Sequence, residues 1–291
     1  METTELLKKV RKIEIKTRGL TNHIFAGEYH SAFKGRGMAF SEVREYQPGD
    51  DIRTIDWNVT ARFNHPFVKV FEEERELTVM LLVDLSGSEN FGTKKQFKRD
   101  LITELCAVFA FSAIQNSDKI GVILFTDKIE KFIPPKKGKT HILRIIRELI
   151  EFKPTSQGTD IGVALRYFTN MIKKRSIAFL LSDFINEGFE DALKIANQKH
   201  DLLTVRIYDE RETKLPSVGL LHVKDPETGK TFLVDSSDQK VRLNYEAWWR
   251  NKDNYLNTLF AKNGIDTVKI RTDQSYIQPL MQAFKKRETK R

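Results

Sequence analysis

Over residues 76–291, short and nearly continuous apolar runs alternate with longer stretches that carry apolar residues every three or four positions. The runs LTVMLLVD (77–84), SIAFLLSDF (176–184) and DLLTVRIYD (201–209) have the length and composition of strands buried on both faces. Strands of this kind separated by helices are typical of a mostly parallel sheet covered on both sides. The pattern therefore predicts an α/β fold with a doubly wound, Rossmann-like sheet.

The stretches between these strands have the periodicity of helices. The first, TKKQFKRDLITELCAVFAFSAIQN (93–116), places apolar residues at 97, 101, 105, 108 and 109, and Thr93 with Gln96 has the spacing of a capping box. After it, KIGVILFTD (119–127) and KIEKFIP (128–134) predict a strand and a short antiparallel companion. Further helices are predicted at 139–152, 158–174, 188–200, about 239–262 and about 276–288, and a last strand at 266–272.

Two parts of the chain depart from this alternation. VGLLHVKDPETGKTFLVDS (218–236) has two alternating segments joined by DPETGK, which predicts a hairpin excursion at about 216–238. Residues 1–75 have few long periodic stripes and contain GRGMAF and a turn at QPGDD, so we predict a helical start followed by a β-rich segment. We expect two parts that pack together, an N-terminal segment (1–75) and an α/β domain (76–291).

Composition and the lengths of the apolar runs exclude several classes of protein. Apolar residues make up 40 % of the chain and charged residues 31 %, which is ordinary for a globular protein. The longest apolar runs, 77–83 and 105–111, are far shorter than the roughly 20 residues of a membrane span, and METTELLKKVRK lacks a signal-peptide apolar stretch. The single cysteine, Cys106, cannot form an internal disulfide. We therefore expect a cytoplasmic protein without a membrane span.

Positive charge is concentrated at the two ends of the chain. The 49 Lys and Arg residues exceed the 40 Asp and Glu residues, giving a formal charge of +9, and much of the excess lies at 8–18 and 285–291. Basic ends could bind nucleic acid or an anionic membrane surface. The middle of the chain lacks the basic stripe with interleaved aromatic residues that single-strand binders use. We therefore favour solvated ends over nucleic-acid binding.

Three stretches place side-chain oxygens where an open parallel sheet binds its ligands, outside the carboxyl ends of the strands. DLSGS (84–88) and LSD (181–183) each end a predicted strand, and QGTD (157–160) lies in a loop that opens a helix. Any one of these loops alone is explained by turn formation or helix capping. Because a doubly wound sheet can bring all three together, the joint pattern predicts a cation site.

The residue types in these loops favour Mg²⁺, which prefers six oxygen ligands and keeps several of its waters. We expect Ser86 and Ser88 to bind directly and Thr159 to bind directly or through water. Asp84 and Asp183 would hold coordinated waters. Because few carboxylates would bind directly, the cation keeps much of its positive charge and favours an Asp or Glu carboxylate from a protein partner. Mn²⁺ is an alternative cation that the sequence leaves open.

These three stretches resemble the metal-ion-dependent adhesion site of von Willebrand factor A-like domains, whose pattern is D-x-S-x-S, then a Thr and then an Asp in separate loops. GRGMAFSEVREYQPGDDIRTIDWNVTARFNHPFVKVFEEER (35–75) closely resembles the signature of the bacterial family called domain of unknown function 58 (DUF58). The resemblance covers nearly the whole chain. It implies a von Willebrand A-like domain with a β-rich N-terminal part, and Mg²⁺ bound by the five residues named above.

The resemblance also implies a partner, and the sequence shows one departure from the family. Genes of the family commonly neighbour those of MoxR-type AAA+ ATPases, which implies a role beside such an ATPase in assembling or maturing other proteins. Many relatives have Met after the second serine, whereas this chain has Glu89. A carboxylate there could repel an incoming acidic ligand or compete for the metal.

Besides nucleic-acid binding by the basic ends, two functions of different classes remain open. The first is a non-enzymatic, Mg²⁺-dependent interaction module that binds an acidic residue of a protein partner. The second is a Mg²⁺-dependent phosphohydrolase with Asp84 as nucleophile. Haloacid-dehalogenase-like enzymes usually carry a second Asp two positions on as general acid, and Ser86 stands there instead. Because loss of that acid costs about 10²–10⁴ in rate, we favour the interaction module.

The stretch QPGDDIRTIDW (47–57) offers a further acidic group, made up of Asp50, Asp51 and Asp56. Three acids this close together could suggest a metal or nuclease site. The stretch lacks a strand-borne Glu-x-Lys in a supporting context. We therefore interpret the three acids as a structural turn and charge network.

Overall fold

The computed structural model describes residues 38–73, 77–92 and 97–289, together with residues 11, 13 and 14. Most of the predicted helical start, and the predicted capping box of Thr93 and Gln96, lie outside these residues. The described residues form two compact units, one within residues 34–77 and one within residues 78–291.

The smaller unit contains an antiparallel pair of strands. Strand β1 (Met38–Glu45) pairs with β2 (Phe67–Glu73), and the chain between them forms a 3-10 turn (Ile52–Thr54) and helix α1 (Trp57–Phe63). The prediction of β structure in this part of the chain is confirmed.

The three acids of QPGDDIRTIDW have structural partners within the smaller unit. Asp50 accepts two hydrogen bonds from the Arg44 guanidinium, each 2.7 Å long. Asp51 caps the 3-10 turn and Asp56 caps α1, each by accepting a hydrogen bond of 3.0 Å from the backbone N–H two residues on. The contacts confirm that these acids form a turn and charge network.

The larger unit is built on a six-stranded sheet with the order β10–β7–β6–β3–β4–β5, in which every neighbouring pair is parallel except β4 with the edge strand β5. This confirms the predicted doubly wound, mostly parallel sheet. A separate two-stranded sheet forms the predicted hairpin. The strands are β3 (Thr78–Asp84), β4 (Lys119–Phe125), β5 (Ile129–Lys136), β6 (Ile177–Ser182), β7 (Asp201–Tyr208), β8 (Leu220–Lys224), β9 (Thr231–Asp235) and β10 (Asp266–Arg271).

Each helix predicted after residue 76 is present within the described residues, with ends that differ by a few residues. The helices are α2 (Lys98–Gln115), α3 (Lys139–Glu151), α4 (Ile161–Met171), α5 (Glu190–Lys199), α6 (Glu210–Thr213), α7 (Gln239–Lys262) and α8 (Ile277–Thr289). Of these, the single-turn α6 was not predicted. Within the described ranges, no helix combines the length and the apolar character that crossing a bilayer requires.

Helices cover both faces of the sheet. On one face α4, α5 and α7 share a buried apolar cluster with Met80 and Leu82 of β3. On the other face lies α2, where Phe109 stacks on Phe179 of β6 with ring centroids 4.1 Å apart. Cys106 of α2 is buried, and burial raises the pKa of its thiol well above the ordinary value.

The predicted apolar stripe of α2 is wrong at its first position. Phe97 precedes the helix and is 55 % exposed, whereas Lys98, the first helical residue, is fully buried. Residues 101–113 are buried on all sides of the helix, because α2 packs against α3 as well as the sheet. The burial of a lysine at the start of this helix follows from its contacts in the loops described next.

Candidate metal centre

The carboxyl ends of β3 and β6 form the base of the site. The two strands are neighbours in parallel register, with Val83 opposite Leu181. Asp84 and Asp183 therefore lie at the same edge of the sheet, and both side chains are buried. The strand order thus brings the first and third predicted loops together.

Hydrogen bonds within the first loop gather its side-chain oxygens. Asp84 Oδ1 accepts from the backbone N–H of Ser86 at 2.9 Å, and Asp84 Oδ2 accepts from the hydroxyl of Ser182 at 2.6 Å. The hydroxyl oxygens of Ser86 and Ser88 lie 3.2 Å apart, because a 3-10 turn beginning at Gly87 folds one serine towards the other. Two hydroxyls and a carboxylate therefore converge in one buried loop.

The residue after Asp183 has a left-handed backbone conformation, which helps to orient the Asp183 carboxylate. The next residue, Phe184, has φ of +60°, a region that bulky side chains rarely adopt. Its buried ring packs edge-on against Phe260 of α7, with centroids 5.3 Å apart, and this packing holds the turn. Within the turn, Asp183 Oδ1 accepts a hydrogen bond of 3.1 Å from the backbone N–H of Ile185. The packing of Phe184 in the hydrophobic core therefore directs the Asp183 carboxylate into the site.

Glu89 completes an acidic cluster with the two aspartates. One carboxylate oxygen from each of Asp84, Glu89 and Asp183 lies within 4.8 Å of the other two. Glu89 is 1 % exposed, and among the described residues neither of its carboxylate oxygens has a hydrogen-bond partner. Burying an unpartnered carboxylate is costly, so it is the kind of arrangement that a bound cation stabilises.

A buried lysine supplies positive charge to this cluster. Lys98 Nζ lies 2.9 Å from Asp183 Oδ2 and 2.8 Å from Glu212 Oε1 of α6. Lys98, Glu212 and the Asp84 partner Ser182 were not predicted from the sequence as residues of the site. The burial of Lys98 could have been recognised in the sequence, because Lys98 lies three residues before Leu101 on the buried side of a helix. Glu212 could not have been recognised in this way, since it precedes no apolar run and ends no predicted strand.

Burial and neighbouring charges decide the protonation of the cluster. Burial, followed by the charge of Asp183, raises the pKa of Asp84 to about 7. Burial also raises the pKa of Glu89 well above its ordinary value, although Lys98 acts in the opposite direction. Burial opposes ionisation of Asp183 too, but the Lys98 ammonium and a hydrogen bond from Ser88 hold its pKa below the ordinary value. Asp84 and Glu89 therefore take up protons readily when no cation is bound.

The donor set fits a hard divalent cation. It consists entirely of oxygens, two hydroxyls and three carboxylates, which are the ligands that Mg²⁺ and Mn²⁺ prefer. The carboxylates of Asp183, Glu89 and Glu212 interact with the ammonium of Lys98, and Asp84 adds a further carboxylate to the cluster, so the ionised group carries an excess of negative charge. The site also holds one carboxylate, that of Glu89, which the sequence analysis had not assigned to it.

The second loop meets the other two through its backbone. The carbonyl of Gln157 accepts a hydrogen bond of 2.8 Å from the backbone N–H of Gly87, and the carbonyl of Thr159 accepts one of 2.8 Å from the side chain of Asn186. Thr159 does not cap α4, because the side chain of Asp160 has that role. The side chain of Thr159 is therefore available for a different contact.

That contact is with the hairpin. The hydroxyl of Thr159 donates a hydrogen bond of 2.5 Å to Glu227 Oε1, in the turn between β8 and β9. This hydrogen bond was not predictable from local sequence pattern, because the two residues are 68 positions apart. Four of the five predicted site residues, Asp84, Ser86, Ser88 and Asp183, thus form one buried cluster, whereas Thr159 lies in an adjoining loop and contacts the hairpin.

Sequence comparison finds relatives across most of the chain. The family described as "Protein of unknown function DUF58" matches residues 42–255. The uncharacterized protein Rv1480 of Mycobacterium tuberculosis is 29 % identical over 240 residues, which cover 81 % of this chain and 76 % of the relative. The uncharacterized protein YeaD of Bacillus subtilis is 28 % identical over 109 residues, which cover 38 % of this chain and 25 % of the relative.

Solved structures with a similar arrangement are more distant in sequence. An aerotolerance-related membrane protein from Bacteroides fragilis, carrying multiple mutations to serines, matches 74 % of this chain and 100 % of its own, with 17 % identity and a TM-score of 0.50. The SpRpn10 VWA domain matches 70 % of this chain and 93 % of its own, with 11 % identity and a TM-score of 0.38. At such identities the similarity concerns the fold alone.

Proposed function

Since this chain belongs to the DUF58 family, a family of unknown function, we propose that it is a metal-dependent protein-interaction module that holds Mg²⁺ or Mn²⁺ at the carboxyl ends of β3 and β6. The observation that carries this proposal is the buried carboxylate of Glu89. Among the described residues it has no hydrogen-bond partner, and it lies within 4.8 Å of oxygens of Asp84 and Asp183. A cation would bring these three like charges into a favourable arrangement.

Each residue of the cluster has a distinct part in this function. The hydroxyls of Ser86 and Ser88 and the carboxylate of Glu89 would hold the cation. Asp84 and Asp183 orient the two serines, since Asp84 accepts from the backbone of Ser86 and Asp183 accepts from the hydroxyl of Ser88. The bound cation would supply a position for a carboxylate of another protein.

We propose that this carboxylate is an Asp or Glu side chain of a protein partner. Among partners, the family resemblance points to a MoxR-type AAA+ ATPase, beside which the protein would act in the assembly or maturation of other proteins, in the cytoplasm. The formal charge of +9 supports an acidic partner surface, because opposite net charges speed the encounter of two proteins.

The contacts of Asp84 favour binding over phosphate-ester hydrolysis. A nucleophilic carboxylate needs an oxygen that can reach the substrate. Both oxygens of Asp84 already accept hydrogen bonds, and its side chain has no exposed surface. The general acid that such a reaction requires is replaced by Ser86. We therefore assign no catalytic step to Asp84.

Titration with Mn²⁺, with the free ion measured by electron paramagnetic resonance, tests the metal centre. The wild-type protein should bind one equivalent, and the double variant Ser86→Ala, Ser88→Ala should bind at least about tenfold more weakly. Ser112→Ala is the matched control. Ser112 is also fully buried, but it lies near the C-terminal end of α2, whereas Lys98 of the acidic cluster lies at the N-terminal end. Equal affinity in all three proteins would contradict a metal centre at these serines.

Retention of a purified MoxR-type ATPase on the immobilised protein tests the partner. We expect retention in Mg²⁺, loss in EDTA and loss in the double serine variant. Retention that is the same under all three conditions would rule out a metal-dependent contact with this ATPase, even for a protein that binds Mn²⁺ normally.

A further inference from the structure

We propose that Glu227 is an internal carboxylate ligand of this metal centre, so that the hairpin of β8 and β9 covers the position that a partner's Asp or Glu would take. The inference rests on the proposed metal-dependent interaction and specifies how that interaction is regulated. In this arrangement the hairpin must move aside before a partner's carboxylate can bind the cation.

The turn of the hairpin holds Glu227 in a defined position. Asp225 Oδ1 accepts hydrogen bonds from the backbone N–H groups of Glu227 at 2.9 Å and Thr228 at 3.3 Å, and Asp225 Oδ2 accepts from the Thr228 hydroxyl at 2.5 Å. The backbone N–H of Gly229, whose φ of +71° suits glycine, donates to the Asp225 carbonyl at 2.9 Å. These hydrogen bonds therefore fix the backbone of the turn that carries Glu227.

This turn lies directly on the loop that carries the two serines. A Cβ atom at Gly87, between Ser86 and Ser88, would lie only 2.3 Å from the carbonyl oxygen of Pro226. A side chain at position 87 would therefore clash with the hairpin backbone, and glycine permits the close approach. The residue next to Glu227 is thus packed against the centre of the first metal loop.

The carboxylate of Glu227 enters the neighbourhood of the cluster. Its Oε1 lies 2.5 Å from the hydroxyl of Thr159, the group predicted to bind the cation directly or through water. The negative charges of Asp183, Asp225 and Asp127 all act on this carboxylate. Repulsion among these acids disfavours the observed position of Glu227, and a cation held at the neighbouring cluster would attract the Glu227 carboxylate and offset that repulsion.

The rest of the hairpin is held by few apolar contacts. Leu220 and Leu233, one on each strand, are 66 % and 61 % exposed. The base is fixed, because the buried Ser236 donates to the carbonyl of Gly219 at 2.6 Å and its own carbonyl accepts from Arg242 at 2.6 Å. An element with a fixed base and little buried apolar surface can be displaced at a low cost in free energy.

An internal ligand of this kind lowers the apparent affinity of the cation for a partner's carboxylate. A tethered carboxylate competes at an effective concentration on the order of millimolar. The apparent affinity of an external carboxylate is reduced by the fraction of time that its position is free. Single acidic residues on unrelated proteins would therefore be excluded, whereas a partner that makes additional contacts would displace Glu227.

The test uses Mn²⁺ as the metal and acetate as the carboxylate. The variant Glu227→Gln keeps an acceptor for the Thr159 hydroxyl but loses the charged ligand. Water-proton relaxation should show more exchangeable water on Mn²⁺ in this variant than in the wild type. Acetate should displace that water at about tenfold lower concentration than in the wild type, as expected if Glu227 occupies the position about nine-tenths of the time.

Glu187→Gln is the matched control, because it removes the same charge from a side chain that is 86 % exposed and follows β6. It should behave as the wild type. If Glu227→Gln also equals the wild type while Mn²⁺ binding still depends on Ser86 and Ser88, the internal ligand is excluded and the proposed function stands. If the wild type binds no Mn²⁺ in a serine-dependent manner, both the internal ligand and the proposed function are wrong.

Discussion

At the scale of single residues, the metal centre is a group of acids that are costly to bury without a cation. Lys98 offsets part of that cost by pairing with Asp183 and Glu212. Glu89 receives no such hydrogen bond from the described residues, and the pKa of Asp84 is raised to about 7. If the proposed function is correct, both carboxylates therefore favour the metal-bound protein over the metal-free protein.

Replacing Glu89 with methionine should separate these two effects. Glu89→Met removes a buried polar group without a hydrogen-bond partner, so the metal-free protein should gain about 1–3 kcal/mol in free energy of unfolding. Mn²⁺ affinity should fall about 10–100-fold. Urea unfolding in EDTA and Mn²⁺ titration measure the two. Glu187→Met, the same change at an exposed position, should alter stability by less than about 0.5 kcal/mol. A less stable Glu89→Met protein in EDTA would contradict the assignment.

The stability of the metal-free protein should depend on pH through Asp84. Burial and the charge of Asp183 raise the pKa of its carboxyl from the ordinary 3.8, which applies to the unfolded chain, to about 7 in the folded protein. Because the unfolded state loses the proton first, this contribution to stability is complete below about pH 4 and is lost as pH rises to about 7. The lowered pKa of Asp183 acts in the opposite sense, below this window. The difference in Tm between Mg²⁺ and EDTA should therefore grow from about pH 5 to about pH 8. A constant difference would contradict coupling between Asp84 and the cation.

At the scale of elements, the strands and helices were predictable and the contacts between distant loops were not. The central strands have continuous apolar runs, and the hairpin has two alternating segments around DPETGK, so local pattern was sufficient for both. The start of α2 was missed because Lys98 is buried through Asp183, 85 residues away. The link between Thr159 and Glu227 spans 68 residues and depends on where the hairpin packs.

The residues of the candidate metal centre show the same difference between what local sequence pattern predicts and what long-range contacts decide. Asp84, Ser86, Ser88 and Asp183 were predicted because they follow neighbouring parallel strands, and the sheet brings such ends together. Glu89 was recognised as a competing carboxylate, but its lack of a hydrogen-bond partner depends on the packing around it. Local sequence pattern thus identifies the site residues that follow the ends of strands. Tertiary packing decides which other residues lie close to them.

The contact between the hairpin and the first metal loop can be tested by adding one methyl group. Gly87→Ala places a Cβ against the carbonyl of Pro226 and should push the turn away. Hydrogen exchange at the backbone amide of Gly229 should become faster, while that of the amides in β3 stays slow. Gly158→Ala is the control in the second loop, because its Cβ would meet Asp127 at an ordinary 3.5 Å. Equal protection of Gly229 in both variants would contradict the close packing.

At the scale of the whole molecule, the metal centre belongs to one of two compact units. Every residue of the acidic cluster lies between 84 and 183, within the larger unit, whereas the capped turn and α1 lie in the unit of residues 34–77. The family match at 42–255 includes parts of both units. Local changes in the smaller unit should therefore leave metal binding intact.

Asp56→Ala provides that test. It removes the N-cap of α1, which should cost about 1 kcal/mol locally and speed hydrogen exchange at the amides of Asn58 and Val59. Mn²⁺ affinity should equal that of the wild type, because no ligand is touched. A tenfold loss of affinity would show instead that the two units are energetically coupled.

The burial of Cys106 has a practical consequence. The chain has one cysteine, and both its position inside α2 and the raised pKa of its thiol protect it from alkylating reagents. A cysteine introduced at the exposed Lys230, in the hairpin turn, would therefore be the sole reactive thiol of the folded protein. A single fluorophore attached there would report opening of the hairpin in real time.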